Sequence, residues 1–540
     1  MLRVVTSARG RRAGTLALLG VLVGALVLGS PGVGASPTEQ RGTPFHLQEA
    51  TIDSIHGAMR AGQLSCRQLV QLYLNRIEAY DRGEHELFAI QTVNPAALAE
   101  AERLDAQLAT RTMAGPLHCI PVLVKDQIET SDMPTTYGSV LFRDFVPERN
   151  ATVVERLKGA GAVILAKTTM GEFAASYAGS VFGICRNPYD PAREPAGSSC
   201  GSGIGVAANF GAVGIGEDTL GSVRNPSANG SLVGLRPTLP LVSRFGMMPA
   251  TVTQDTIGPM TRTVRDTALL LNVMAGYDPN DPITAANVGN VAPDYTRFLV
   301  ADGLRGMRLG VIREPMNENT NPEAEDFAQV RAVLDRAVEE MAARGAQIVD
   351  PVTIPGLRDL LRRSSAGEFE GEEVMERYLA AHPQAPVRTL AEIVMSPQVL
   401  GFHRTRLIGG VGHTRNDPGY LQVLRARDEL RQAVLSTMAD HGLDAFVYAS
   451  ADHLPQLIPD DIMTTSRRIS ARGPNRALAP FIGWPAIVVP GGFVDGLPVG
   501  IEVLGRAWSE GDLLKIAYSY EQATKHRRPP WTTPPLPGEP

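Results

Sequence analysis

The chain is sparing with several residue types, and each shortage removes a class of function. Only four cysteines occur in 540 residues, at positions 66, 119, 185 and 200. Their spacing does not suit zinc, and His, Cys, Asp and Glu nowhere cluster at metal-ligand spacing. No metal and no cofactor is therefore expected. Positive charge is not in excess either: 51 Lys and Arg stand against 57 Asp and Glu, a formal net charge of −6. That leaves no basic footprint for nucleic acid, and no dense block of like charge marks an interaction tail. The apolar run from Thr15 to Leu28 falls short of the ~20 residues that a membrane-spanning helix needs, so no stable membrane anchor is expected.

That run sits in a segment built like an export signal. Arg3, Arg9, Arg11 and Arg12 precede it, and Val33-Gly34-Ala35 supplies small residues for cleavage. Residues 1–35 are thus expected to be a signal peptide, and the mature protein to be secreted or periplasmic. Arg11-Arg12 is a poor twin-arginine match because Ala13-Gly14-Thr15 follows, and with no cysteine before Cys66 a lipid anchor at the cleavage site is unsupported. Export also permits disulfides. Cys185 and Cys200 flank a single loop and form the favoured pair; four buried thiols acting as small hydrophobes are the alternative.

With 44% hydrophobic residues the chain has far more than one small core requires, and its length alone suggests several domains. Ile52, Ile55, Met59, Leu69, Leu72, Leu74 and Ile77 recur at helical spacing, interrupted by Gly62-Gln63-Leu64-Ser65. Two helices with a turn follow, Ser65 capping the second. Helices are expected at Asn94–Leu108, Val153–Ala160, Ile204–Asn209 (with Val206–Phe210 placed in the same helix) and from Pro322 to Arg344. Strands are expected at Ile120–Val124, Val163–Lys167 and Leu309–Ile312, an α/β alternation. Residues 351–420 are less patterned, and the proline-rich tail at 525–540 is expected to be extended or disordered.

Chemistry concentrates between Pro195 and Pro237, where serines, glycines and other small residues are too dense for an ordinary core element. Two glycine-bounded serine loops stand out, Gly197-Ser198-Ser199-Cys200-Gly201 and Asp218-Thr219-Leu220-Gly221-Ser222. Upstream, the apolar stretch Pro121-Val122-Leu123-Val124 ends on Lys125, and a lysine is almost never fully buried without a partner or a purpose. Gly115-Pro116-Leu117-His118, Leu165-Ala166-Lys167-Thr168-Thr169, the run from Asp255 to Thr263, and Leu497-Pro498-Val499-Gly500-Ile501 complete an ordered set. This set resembles the amidase signature family of serine hydrolases.

The resemblance implies one α/β/α catalytic domain at 44–524, built on a mixed central sheet with helices on both faces. It also implies an amidase that hydrolyses a carboxylic amide through an acyl enzyme. By matched position Ser222 is the nucleophile, Ser198 the proton shuttle and Lys125 the base behind it, with a cis peptide leading from Gly197 into Ser198. The backbone of Thr219, Leu220, Gly221 and Ser222 forms the oxyanion hole. Gly197 and Ser199 support the first loop, and Asp218 and Arg224 are read as a salt bridge holding the second. A small-molecule amide is the expected partner, and a homodimer is compatible with the family. The insertion at 351–420 is where the family shapes its pocket. Two residues depart from the usual pattern: Cys200 stands in place of a second glycine, and Leu220 in place of a glycine or polar residue. None of the histidines, including His118, His403, His413 and His453, occupies a matched catalytic motif.

Rival readings use the same residues. Gly197-Ser198-Ser199-Cys200-Gly201 also fits the GxSxG elbow of α/β-hydrolases, with Ser199 as nucleophile, but the three prolines at 188, 191 and 195 deny it the preceding strand. Carbamate or ester hydrolysis could use the same triad. A non-catalytic secreted binding protein would be expected to have lost a triad residue, and an enzyme component that supplies ammonia for tRNA charging would be cytosolic.

Overall fold

The computed structural model describes residues 44–110, 112–467 and 472–540. The expected signal peptide at 1–35 lies outside these residues. Thirteen strands are present among them: β1 (Ile90–Val93), β2 (Pro121–Lys125), β3 (Val163–Thr168), β4 (Ala178–Gly179), β5 (Gly183–Ile184), β6 (Val213–Glu217), β7 (Val233–Arg236), β8 (Ile257–Thr261), β9 (Arg308–Ile312), β10 (Gln347–Val352), β11 (Ala445–Ala449), β12 (Ala486–Val494) and β13 (Leu497–Gly505). Eleven form a single sheet in the order β1-β3-β2-β6-β8-β7-β12-β13-β11-β9-β10, while β4 and β5 make a separate hairpin. The sheet is mixed. Parallel pairs β3-β2-β6 and β11-β9-β10 flank an antiparallel middle.

The central strands are near-continuous apolar or small-residue runs because they are covered from both sides. Every residue of β2, β3, β6, β7 and β8 is buried. The sequence pattern places the first two helices well: α1 (Ile52–Arg60) and α2 (Cys66–Tyr80) each begin in a capping box, Thr51 with Ser54 and Ser65 with Gln68. The helices α3 (Ala97–Ala109) and α4 (Thr152–Gly159) follow within three residues of expectation. Further along come α5 (Cys200–Ala207), α6 (Arg224–Asn229), α7 (Val264–Met274) and α8 (Glu325–Ala343). α5 packs on β2 and β6, α7 on β8, and α8 on β12 and β13.

Four expectations need correction. The helix expected at Ile204–Asn209 starts earlier, at Cys200, and ends at Ala207; Asn209 has φ 59°, a left-handed conformation that stops it. The weakly patterned stretch after Pro351 is largely helical: α9 (Leu357–Arg363), α10 (Gly367–Ala380), α11 (Leu390–Met395) and α12 (Gly401–Leu407) lead into α13 (Pro418–His441). Cysteine pairing is more extensive than expected. Cys185 does bond to Cys200, and Cys66 bonds to Cys119 as well, tying the start of α2 to the turn before β2. Finally, after α14 (Leu478–Ile482) and α15 (Glu510–Thr524), the tail is extended but anchored. Arg527 donates to Glu49 and to the Tyr189 hydroxyl, Trp531 Nε1 donates to Tyr189 O at 2.8 Å, and buried Arg76 pairs with Glu539 at 2.8 Å. The compact unit accordingly runs from Pro44 to Pro540.

Candidate active site

Strand ends bring the site together. β2 and β6 are parallel neighbours, with Leu123 opposite Gly214 and Val124 opposite Ile215, so Lys125 and Glu217 finish adjacent strands side by side. Both side chains are fully buried. The second serine loop leaves β6 for the N-terminus of α6, the first enters α5 from the irregular stretch after β5, and a bond from Ser199 N to Ser222 O at 3.3 Å joins them. The peptide from Gly197 to Ser198 is cis, as the resemblance implied. Gly197 has no substitute here: a Cβ would stand 1.7 Å from Ser176 O. Gly221, at φ 84°, takes the left-handed turn that a side chain would disfavour.

Lys125 Nζ lies 2.8 Å from Ser198 Oγ, 2.9 Å from Glu217 Oε2 and 3.2 Å from Glu217 O. Burial pushes its ammonium below the ordinary lysine value, against the opposite pull of Glu217, Asp218 and Asp255. Burial pushes Glu217 up, Asp255 adding to the rise and Lys125 opposing it. Ser198 and Ser222 both line a cavity of about 810 Å³. Ser222 is 6% exposed, and its hydroxyl makes no hydrogen bond to a described residue. Ser199 differs. It is fully buried, and its Oγ donates to Glu217 O at 3.2 Å, so it braces the loop and is not presented as an elbow nucleophile.

The second loop is held from within. Asp218 Oδ1 accepts from Gly221 N at 2.8 Å, Arg236 Nη1 at 3.0 Å and Arg224 Nη2 at 3.3 Å. Its Oδ2 accepts from Arg224 Nε at 3.1 Å and Val223 N at 3.2 Å. Burial alone would raise this carboxyl, but Arg224 and Arg236 outweigh it and hold it well below the ordinary range. Arg224 also pairs with Glu502, which accepts from the Tyr448 hydroxyl at 2.7 Å. The expected Asp218–Arg224 bridge is thus one edge of a buried network. One contact bears on the expected oxyanion hole: Gly221 N donates to Asp218 Oδ1. The N–H groups of Thr219, Leu220 and Ser222 make no hydrogen bond to a described residue.

The expected departures from the family pattern also find places. Cys200 is disulfide-bonded and opens α5, so it offers no free thiol. Leu220 lines the cavity and packs against the cluster that contains Phe481 and Trp484. The helical stretch after Pro351 supplies part of the cavity wall, including Glu368, Met375, Leu390 and Arg406. His403 also lines it, but is fully buried and held well below its ordinary pKa by burial and Arg406. His453 is tied to Asp326 at 2.9 Å. The residue missed from sequence is Glu217. Its signal was the same as that of Lys125, a buried strand ending on a charge.

A mixed sheet with a buried lysine at a strand end and two serine loops joined beside it points to a class of enzyme, the serine hydrolases that act on amides from a single large α/β domain. Comparison with known proteins narrows the class. A protein-family model described as Amidase matches residues 68–514. The peptide amidase of Stenotrophomonas maltophilia has a solved structure with TM-score 0.81 and 37% identity, covering 90% of this chain and 99% of that one. A solved amidase family protein of Bacillus anthracis has TM-score 0.78 and 31% identity, covering 90% of this chain and 92% of that one. A "Probable amidase" of Arabidopsis thaliana is 32% identical over 92% of this chain and 94% of its own length. The chain belongs to the amidase signature family, and it is an amide hydrolase.

Proposed function

We propose that this amidase works through Ser222, Ser198 and Lys125, and that its substrates are amides whose acyl part is large, C-terminal peptide amides first among them. The observation that carries the triad is the 2.8 Å contact between Lys125 Nζ and Ser198 Oγ, fully buried behind the cavity that also receives Ser222. Ser222 Oγ attacks the amide carbonyl while its proton passes to Ser198 Oγ, whose own proton passes to Lys125 Nζ. The tetrahedral oxyanion is met by the N–H groups of Thr219, Leu220 and Ser222, three donors that need not reorganise. Collapse expels the amine, which takes a proton from Ser198 as Lys125 returns one, and water then releases the acid by the reverse route.

Two observations support the substrate class. The cavity of about 810 Å³ falls within the ~300–1,000 Å³ range of small-molecule sites and exceeds what a small aliphatic amide would fill. Likeness to a peptide amidase along almost its whole length points the same way. A panel of C-terminal peptide amides, anilides, carbamates and p-nitrophenyl esters, with Ser222→Ala as control, tests the proposal. Ser222→Ala should lose turnover and fluorophosphonate labelling, and peptide amides should give the highest kcat/KM. A label on Ser199 would overturn the nucleophile, and a preference for anilides or carbamates would overturn the substrate class.

We further infer that residues 1–35 direct export. The two disulfides support an oxidising compartment. Fractionation of cells expressing the full chain, with and without residues 1–35, tests this: retention of both forms in the cytosol would refute it.

A further inference from the structure

Glu217 is an unusual neighbour for a lysine that must be neutral to act as a base. A carboxylate beside an ammonium stabilises its charge and so opposes deprotonation. The hydrogen bonds around Glu217 resolve the conflict by fixing where the protons are. Thr219 Oγ1 lies 2.5 Å from Glu217 Oε1 and 2.9 Å from Asp255 Oδ1. A hydroxyl has one proton to donate, so two ionised carboxylates would have to share it in a bifurcated contact. A proton on one of the two carboxyls gives each contact its own hydrogen bond.

Asp255 is not the one. Its Oδ2 accepts from Ala250 N at 2.7 Å and Thr251 N at 2.8 Å, and its Oδ1 from Thr251 Oγ1 at 2.7 Å. Both of its oxygens therefore face donors, and a proton on either would meet another proton. The Glu217 carboxyl has no comparable set: apart from Thr219, its only hydrogen-bonding partner among the described residues is Lys125. With the proton on Glu217 Oε1, every contact is satisfied in one chain. Glu217 donates to Thr219, and Thr219 donates to Asp255. A neutral Lys125 donates its two N–H bonds to Glu217 O and Oε2, leaving its lone pair facing Ser198 Oγ.

We propose that Glu217 is a positioning residue for the lysine base: protonated in the resting enzyme, it holds the proton that would otherwise charge Lys125 and aims a neutral amine at Ser198. This rests on the assignment of Lys125 as base. The charged and titratable groups facing the pair are Asp218 beyond β6, Asp255 before β8, Arg236 at the end of β7 and Tyr137. Burial, which raises Glu217 and lowers Lys125, acts in the same direction as the hydrogen-bond pattern.

Glu217→Gln tests the proposal, because the amide reproduces a neutral acid: its NH₂ donates to Thr219 and its oxygen accepts from Lys125. The variant should leave the acid limb of the pH profile for amide turnover within about half a unit of its wild-type position. If the pair were instead an ordinary ion pair, removing the carboxylate would lower the lysine pKa and move that limb down by about one unit or more, which would overturn the proposal. Should the variant fail to fold, the wild-type protein still decides. The chain has five lysines, so ¹⁵N-lysine labelling resolves Lys125 Nζ, assigned by its loss in Lys125→Ala. A neutral-amine shift at neutral pH is expected, and an ammonium shift would overturn the proposal. Amide turnover in Lys125→Ala separates the two levels. If it is unimpaired, the lysine is not the base. If it is abolished while Glu217→Gln shows the ion-pair shift, the proposal for Glu217 alone has failed.

Discussion

Asp218→Asn should destabilise this protein far more than its near-identical shape suggests. Both carboxylate oxygens face donors only: Gly221 N, Arg236 and Arg224 around Oδ1, Val223 N and Arg224 around Oδ2. Whichever way the asparagine amide is turned, its NH₂ meets a donor, and two arginines that are fully buried lose an anion while Glu502 remains as the only carboxylate paired with Arg224 among the described residues. Breaking a buried pair by removing one partner costs about 3–5 kcal/mol. The unfolding entropy of about 2.1 cal/mol/K per residue, over roughly 500 residues, is about 1 kcal/mol/K, so the melting temperature should fall by about 3–5 °C.

The pH dependence has a definite sign. Asp218 is held below its unfolded value, so its contribution is fully present above about pH 4 and is lost as the pH falls through the depressed folded value. The gap between wild type and variant should therefore be constant from about pH 5 to 8 and close in stronger acid. Calorimetry at fixed scan rate measures it, the fixed rate being needed because chains of this size often unfold irreversibly. A fall of less than about 1 °C at neutral pH, or a gap that widens towards acid, would refute the claim that this carboxylate holds the two arginines.

How much of this could be read from the residues depended on whether the signal was local. Lys125 was legible because four apolar residues ending on an ammonium are anomalous wherever they fold. The serine loops were legible because their density of glycine and serine is anomalous, although part of that density, Cys200–Ala207, forms the buried helix α5, and Gly197 is there for a contact with Ser176 that no other residue permits. Glu217 carried the same anomaly as Lys125, yet its meaning depended on β6 lying beside β2, which is a property of the sheet order. The Cys66–Cys119 bond was hidden for the same reason: 53 residues separate the pair, and only the packing of α2 brings them together. The stretch after Pro351 hid its helices because several are short and part of their surface faces the cavity, which dilutes the apolar period. In the tail, proline content described the backbone correctly and said nothing of order, which comes from Arg527 and Trp531 meeting residues 49 and 189.

Three further outcomes are expected. Dialysis against a chelator should leave activity intact, and loss restored specifically by zinc would contradict the mechanism. Replacing Cys66 and Cys119 by serine should cost up to about 4 kcal/mol, and replacing Cys185 and Cys200 about 3 kcal/mol, since the first pair closes the longer loop; denaturant titrations unchanged by either replacement would show that the bonds do not form in the enzyme. Ser198→Ala should raise the ester-to-amide rate ratio, because an amine must be protonated to depart whereas p-nitrophenolate leaves unaided. In the proposed mechanism the 2.8 Å Lys125–Ser198 contact carries that proton. If Ser198 only braced the turn, its loss would displace Ser222 for both substrates alike, and equal losses of kcat/KM for an amide and its matched ester would remove the shuttle.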